Sequence, residues 1–211
     1  MSSDGQVRNR VLERDGWLSE SDFQKKVLND VHIFGSIWNK FYKAECLTNV
    51  RFDEDIDLCE DTCFNFRCVQ AHPACTFFYH ALITYNYVNN KKSLTNRQLE
   101  RLFDPDDRLR YINVCYKLLH EYRISKAVEE NIRYAIVSHA SVFLHNNELD
   151  EAKASHLRME IRKNIRCFLK VMWQYNIRYN FRKLGWILRE IACSGNLAAN
   201  RTGTTSQGEQ H

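Results

Sequence analysis

The chain has 211 residues, 44% of them hydrophobic, which is enough for one domain or for one domain with a helical extension. The formal net charge of +4 is too mild to predict a nucleic-acid partner, and no apolar run is long enough to predict a membrane-spanning helix. Eight cysteines without a CxxC pair and without a preceding secretory signal predict reduced thiols in a cytoplasmic protein.

The first half of the chain is predicted to combine short helices with short strands. Ser21 is the expected cap of the first helix, in which Phe23 and Val27 begin a four-residue apolar spacing. Gly35 interrupts the next apolar stretch, and Pro73 ends a later helix because proline disfavours a helical residue before it. The predicted elements are an irregular segment, a helix, a strand or strand pair, a short helix, a helix and two short strands, at residues 1–20, 21–31, 33–38, 43–49, 61–72 and 76–88.

From residue 94 onward the apolar period becomes helical. Asp104-Pro105 supplies a cap and a first helical position for one of these helices. Residues 194–211 lack the apolar content that folding requires and are predicted to be disordered. The predicted helices lie at residues 95–103, 106–122, 125–146 and 148–191.

The segment FDEDIDLCEDTCFNF, residues 52–66, turns from acidic to apolar at the pair Glu60-Asp61. Asp57 is the predicted N-cap of the helix that follows, and Glu60 completes an Asp variant of the capping box. The helix dipole also favours negative charge in this first turn. An acidic helix start is therefore one interpretation of the pair.

A second interpretation comes from the order of the motifs around the pair. They are GSIWNKFYKAE at residues 35–45, Phe52 with Glu54, CED at residues 59–61, TYNY at residues 84–87 and KSLT at residues 92–95. This order resembles the C-terminal half of family 2 glycosyltransferases of the GT-A fold, the bacterial enzymes that build capsule and other surface polysaccharides. The resemblance covers residues 33–96, which is under a third of the chain.

The resemblance implies an α+β fold in which residues 1–96 form the acceptor-side portion of a GT-A domain and residues 97–193 form a mainly helical region. The implied enzyme transfers a sugar from a nucleotide-sugar to a glycan or lipid-linked acceptor in surface polysaccharide synthesis. Asp61 would be the catalytic base that takes the proton of the acceptor hydroxyl. Glu60 would orient the site or bind an acceptor hydroxyl.

Further substrate-binding residues are implied by the same resemblance. Trp38, Asn39 and Lys40 match the family's "nK" signature, and Lys40 would neutralise the departing nucleotide diphosphate. The alternative is that Trp38 belongs to the core and Lys40 to the surface. The family's Y-x-Y…S-x-T motif adds three candidates, Tyr85, Tyr87 and Ser93. Packing within a sheet is the alternative for the two tyrosines.

The resemblance also implies a divalent metal, Mn or Mg, but its ligands are not expected on this chain. Asp53-x-Asp55 looks like the family's metal-binding DxD, yet it lies only a few residues before the acidic pair instead of far upstream. The first sixty residues show no βαβ pattern, so the nucleotide-binding half is predicted to be missing. A zinc site is the alternative use of four side chains, at a spacing looser than structural zinc sites usually have: Cys59, Cys63, His72 and Cys75.

The predicted helix at residues 148–191 is strongly basic. Between Arg158 and Arg189 there are nine Lys or Arg residues and one acid, Glu160, with large apolar residues such as Trp173 interleaved. This pattern is typical of a helix at an anionic membrane surface, which would make the protein peripheral at the inner face of the plasma membrane. A helix that packs its apolar side on a core has the same pattern.

Two functions other than glycosyl transfer are compatible with these observations. The chain could be a non-catalytic truncated remnant, which keeps the motifs but binds no donor. It could also be a helical protein-interaction module whose acidic loop is a surface feature. Because no nucleotide-binding half is predicted, we expect the chain alone to have no or very weak glycosyltransferase activity.

Overall fold

The computed structural model of the protein describes residues 15–29, 35–56, 58–73, 75–80, 105–146, 149–174 and 181–189. Helices α1 to α6 are Glu20–Asn29, Glu60–Ala71, Pro105–Glu121, Lys126–Asn146, Glu151–Val171 and 181–189. Two 3₁₀ helices are Ala44–Leu47 and Met172–Gln174, and strands β1 and β2 are Gly16–Leu18 and Phe77–Tyr79. Mostly helical with one short sheet, the described residues agree with the expected α+β class.

The helices predicted at residues 21–31, 61–72, 106–122 and 125–146 are found where the structure describes them, with corrections to their caps. Ser19 caps α1 in place of Ser21, because its Oγ accepts a 3.1 Å hydrogen bond from the backbone N–H of Asp22. The N-cap of α2 is Cys59, not Asp57, and no side-chain hydrogen bond caps this helix. As predicted, α2 ends just before the His72-Pro73 pair. The short helix expected at residues 43–49 is a 3₁₀ turn of four residues.

The sheet differs from the prediction on both strands. Residues 16–18, expected to be irregular, form β1, which pairs antiparallel with β2 so that Trp17 faces Phe78. Residues 35–38, expected to be a strand, form bends and a turn. The physical reason is that the N–H of Ile37 bonds to the side chain of Asp61, so it does not join a strand ladder. Of the strands predicted at residues 76–88, the part from 81 onward lies outside the described residues.

The chain divides into two compact units, Met1–Arg133 and Tyr134–His211. In the first unit α2 packs against α1, α3 and the Ala44–Leu47 turn. Its core is built from side chains that recur at helical spacing, so each helix buries one face: Phe23, Val27, Cys63, Phe66, Val69, Ile112, Cys115 and Leu118. Phe77 of β2 stacks on Phe23 with ring centroids 4.2 Å apart, which attaches the sheet to this core.

The second unit has its own core around α5. Asp150 caps this helix by accepting a 2.8 Å hydrogen bond from the N–H of Lys153. The single helix expected at residues 148–191 is wrong, because α5 ends at Val171 and passes into a 3₁₀ turn. The buried side chains come from α4, from α5, from the 3₁₀ turn and from α6: Val137, Ala140, Phe143, Leu157, Ile161, Phe168, Met172 and Ile187.

Several predictions concern residues outside the described part of the chain. They are the helix at residues 95–103, the boundary between residues 96 and 97, and the disordered tail at residues 194–211. Among the described residues, no helix combines the length and the apolar character that crossing a membrane requires.

Candidate active site

A close approach at Gly35 holds the turn at residues 35–40 against the first turn of α2. Gly35 is buried, and a Cβ added to it would collide with Thr62 Oγ1 and lie 3.2 Å from the Cβ of Thr62. The absence of a side chain therefore allows the backbone to come this near to the helix. The residues that follow Gly35 are positioned by this contact.

Asn65 completes the attachment of the turn. It is fully buried, and its Nδ2 donates to the carbonyl oxygens of Gly35 at 2.6 Å and Asp61 at 2.7 Å. Its Oδ1 accepts a 2.9 Å hydrogen bond from the hydroxyl of Tyr42. A buried amide with three partners is costly to remove, because each partner would lose a hydrogen bond away from water. The hydrogen bonds of Asn65 therefore attach the segment from Gly35 to Tyr42 to α2.

The acidic pair lies at the start of α2, next to this turn. Asp61 Oδ2 accepts a hydrogen bond of 3.3 Å from the backbone N–H of Ile37, and both carboxylates are partly exposed. The helix start satisfies the dipole preference for negative charge. The arrangement also presents a carboxylate on a rigid element, which a general base requires.

Lys40 lies in the same site and has an altered pKa. Burial lowers the pKa of its ammonium group to about 8, and the negative charge of Asp61 opposes that shift. The Nζ atom donates to the carbonyl oxygen of Ser36 at 2.5 Å and to Oδ1 of Asn39 at 2.8 Å. The site thus holds a partly desolvated cation within electrostatic range of a carboxylate.

The alternative interpretation, Trp38 in the core and Lys40 on the surface, does not hold for Trp38, and Lys40 is partly buried. Trp38 is 47% exposed, whereas Lys40 is only partly exposed, and the neighbouring Phe41 is 91% exposed. Phe52, 42% exposed, stacks on Phe64 of α2 at a centroid distance of 4.4 Å. Exposed aromatic rings of this kind suit contact with the apolar faces of sugars or with another protein surface.

The predicted site residues are therefore brought together in part. The turn that carries Trp38, Asn39 and Lys40 lies against the helix start that carries Glu60 and Asp61. The remaining candidates, Tyr85, Tyr87 and Ser93, lie outside the described residues.

The DxD-like pair does not fit a divalent metal. Asp53 Oδ2 lies 2.5 Å from Lys117 Nζ and 3.1 Å from Arg67 Nη2, and its carboxylate is 11% exposed. The hydrogen bond from Lys117 is the main reason that the pKa of Asp53 is lowered. Two cations already occupy the positions that a metal ion would need, so we derive no metal-dependent step from this residue.

The four side chains considered for zinc do not form a site. In the described part of the chain, no three His, Cys, Asp or Glu side chains are arranged to hold a metal ion. Cys75 instead has its Sγ 2.8 Å from Sγ of Cys46, and this contact raises the pKa of Cys75 to about 11. Burial raises the pKa of Cys59 to about 12. Both thiols are therefore protonated and poor ligands at neutral pH.

A cavity of about 290 Å³ lies beside the Asp53 ion pairs and not at the acidic pair. Its lining comes from the acidic loop and from α3: Asp55, Ile56, Leu58, Arg110, Asn113, Val114 and Lys117. Because it contains neither Lys40 nor Asp61, the cavity does not mark the candidate site. We base the site on the hydrogen-bonded turn and helix start.

Three residues of the site were missed from the sequence, namely Thr62, Asn65 and Tyr42. A signal for Asn65 was present, because it stands next to Phe66 and two residues after Cys63 on the buried side of α2. A polar residue among buried positions indicates a specific hydrogen-bond partner. Thr62 and Tyr42 carried no comparable signal.

Comparisons with protein-family models, with curated proteins and with solved structures return no match for this chain.

Proposed function

We propose that the chain carries the acceptor-side portion of a family 2 glycosyltransferase of the GT-A type, acting in surface polysaccharide synthesis. One observation supports this most. The turn with Trp38, Asn39 and Lys40 is hydrogen-bonded to the start of α2, which carries Glu60 and Asp61, and both segments belong to the ordered set of motifs. Residues twenty positions apart in sequence thus form one polar site, in the order that the resemblance anticipates.

In the proposed reaction, Asp61 removes the proton of an acceptor hydroxyl as its oxygen attacks the anomeric carbon of the donor sugar. A new carbon–oxygen bond forms, and the bond to the nucleotide diphosphate breaks, with its electron pair leaving on the diphosphate. The proton ends on the carboxylate of Asp61, and the Lys40 ammonium stabilises the negative charge on the leaving group. Glu60 orients the acceptor.

The donor side of the reaction is proposed to lie elsewhere. The only sheet among the described residues is the antiparallel pair β1–β2, which has no nucleotide-binding crevice. The residues present also do not fit the divalent metal that the resemblance implies. We therefore expect this chain alone to be inactive, and to act at the cytoplasmic face of the membrane once a nucleotide-binding half completes it.

The direct test uses Asp61→Asn in a form of the protein that includes a nucleotide-binding half encoded upstream. Turnover of a nucleotide-sugar is expected to fall by roughly a hundredfold, as is common on loss of a general base. Folding is expected to survive, because the amide oxygen of Asn can still accept from the N–H of Ile37. Glu45→Gln, an exposed carboxylate in the same unit, is the matched control and is expected to retain full activity.

The outcomes separate the proposal from its alternatives. More than about a tenth of parental turnover in Asp61→Asn would rule out the base assignment. Robust turnover by the isolated chain would contradict the missing donor half. If no upstream frame exists and titration with nucleotide-sugars and Mn²⁺ gives no heat, the chain is a non-catalytic remnant or a helical interaction module.

A further inference from the structure

Helix α5 has one face in the core of the second unit. Leu157, Ile161 and Phe168 on this face are at most 1% exposed. Tyr134 of α4 stacks on Phe168 with the ring centroids 5.2 Å apart. The core-packing interpretation of the basic helix is therefore correct for this face, and it accounts for the apolar residues found there.

The opposite face of α5 is exposed and is still partly apolar. Met159 and Leu169 of α5 are 43% and 42% exposed, and Trp173 of the 3₁₀ turn that follows is 59% exposed. Four basic residues lie between Met159 and Trp173: Arg162, Arg166 and Lys170 repeat every four positions, with Lys163 beside them on the same side of the helix. Exposed apolar side chains that lie together on one surface are typical of an interaction site.

Helix α6 continues this surface. Trp173 and Phe181 meet edge to face with ring centroids 5.5 Å apart, so the exposed start of α6 adjoins the exposed end of α5. Phe181 and Leu188 are 48% and 59% exposed. The basic–apolar face consists of Met159, Arg162, Lys163, Arg166, Leu169, Lys170, Trp173, Phe181, Arg182, Leu188 and Arg189.

The face has a single sign of charge. Glu160 lies between residues of the face in sequence but is only 2% exposed, and its Oε1 accepts a 3.0 Å hydrogen bond from Nζ of Lys163. No other Asp or Glu occurs among the described residues from 152 to 189. Among the described residues from 159 to 189, the surface therefore presents arginine and lysine cations with large apolar side chains between them and no exposed carboxylate; the exposed Glu151 lies at the start of α5, before this face begins.

We propose that the basic–apolar face docks on an anionic lipid bilayer, with α5 and α6 lying in the plane of the headgroups. Cations attract the negatively charged surface, and the apolar side chains enter the boundary between headgroups and acyl chains. A nucleic-acid partner fits less well. The side chains of Met159, Leu169 and Leu188 have no aromatic ring on which a base could stack, and in a complex with nucleic acid they would contact charged phosphates. The inference is independent of the proposed glycosyl transfer.

Two residues of this part of the chain, Lys183 and Trp186, contact α4 instead of belonging to the basic–apolar face. Lys183 is 4% exposed, and its Nζ donates to Oγ of Ser138. Trp186 stacks on His145 of α4 at a centroid distance of 4.0 Å. Arg178 lies outside the described residues. Tests of docking should therefore leave Lys183 and Trp186 unchanged.

The test is co-sedimentation of the full chain with vesicles of phosphatidylcholine, with and without phosphatidylglycerol. We expect binding to the anionic vesicles, weaker binding as salt rises to physiological strength, and little binding to phosphatidylcholine alone. The triple variant Arg162→Gln, Arg166→Gln, Lys170→Gln is expected to bind at least about tenfold more weakly.

A matched triple variant removes the same charge elsewhere. Lys43→Gln, Arg51→Gln, Lys126→Gln changes exposed cations of the first unit and is expected to bind within about twofold of the parent. Thermal melts by circular dichroism check that both triple variants fold. Equal losses in the two triples would mean that net charge alone governs binding, which would overturn the proposal.

Trp173 reports insertion directly. Its fluorescence is expected to shift to the blue with anionic vesicles, and Trp173→Phe is expected to bind nearly as well while losing most of that shift. Trp173→Ser should bind more weakly at every salt concentration, because the apolar contribution is not screened. Equal partitioning onto neutral and anionic vesicles, no binding to either, or displacement by RNA at equal phosphate concentration would each refute membrane docking.

Discussion

Gly35→Ala tests whether the turn at residues 35–40 is held as close to α2 as the structure places it. The new Cβ would collide with Thr62 Oγ1 and lie 3.2 Å and 3.4 Å from the Cβ and Cα of Thr62. Overpacking of this kind costs about 1–3 kcal/mol. Replacing glycine also restricts the unfolded chain, which stabilises the fold by about 0.4–1 kcal/mol where the backbone conformation is compatible. The steric cost is larger, so we expect a net loss of about 1–2 kcal/mol.

The assay is urea unfolding of Gly35→Ala, Thr62→Ala and the double variant. Thr62→Ala removes the colliding oxygen, so Gly35→Ala is expected to cost less than about 0.5 kcal/mol in that background. Gly16→Ala is the control, since a Cβ at Gly16 meets nothing within 4 Å. An equal cost of Gly35→Ala in both backgrounds, or a stabilising effect in the parent, would refute the close approach.

Three further predictions concern ionisable groups. Burial lowers the pKa of Lys40 from 10.5 to about 8, so between these pH values the unfolded state binds more protons than the folded state and the free energy of unfolding should rise with pH. Urea unfolding at pH 7.5 and 9.5 should show this rise in the parent and not in Lys40→Met. The ion pairs of Asp53, above all the hydrogen bond from Lys117, lower its pKa, so Asp53→Asn should lower the free energy of unfolding by about 1–2 kcal/mol at pH 7. In urea unfolding, the difference between parent and variant should disappear as the pH falls well below 3.8. Glutathione disulfide should oxidise Cys46 and Cys75 to a disulfide, and mass spectrometry should show that the protein has lost two hydrogens. The reaction should be faster at pH 9 than at pH 7, because the pKa of Cys75 is about 11, and Cys75→Ser should block it.

Three of the helices were predictable from local sequence. Helices α2, α3 and α4 lie within a residue or two of their predicted bounds, because their apolar residues recur at helical spacing and are flanked by proline or cap residues. The core positions Phe23 and Val27 of α1 follow from the same periodicity. Such signals are local, since one face of a helix is buried whatever its partner is.

The site was predictable only as a set of residues. Sequence order places Lys40 and Asp61 in a common motif set, but it carries no information on the distance between them. Gly35 looked like the interruption of a strand, yet its role is to let the turn approach Thr62. A hydrogen bond between a side chain and a backbone N–H, such as Asp61 to Ile37, competes with strand pairing and has no periodic signature.

The sequence by itself determined which segments are helical, where the charges cluster and which motifs occur in order, because those properties depend on neighbours along the chain. Tertiary structure alone decided which of the described apolar and basic residues at positions 151–189 are buried. It put Leu157 and Phe168 of α5 in the core and left Leu169 of the same helix exposed, and it moved Lys183 from the predicted basic face to the interior. Burial depends on contacts between residues distant in sequence, and hydrophobic and basic residues occur both in the interior and on the surface, so residue type alone does not predict burial.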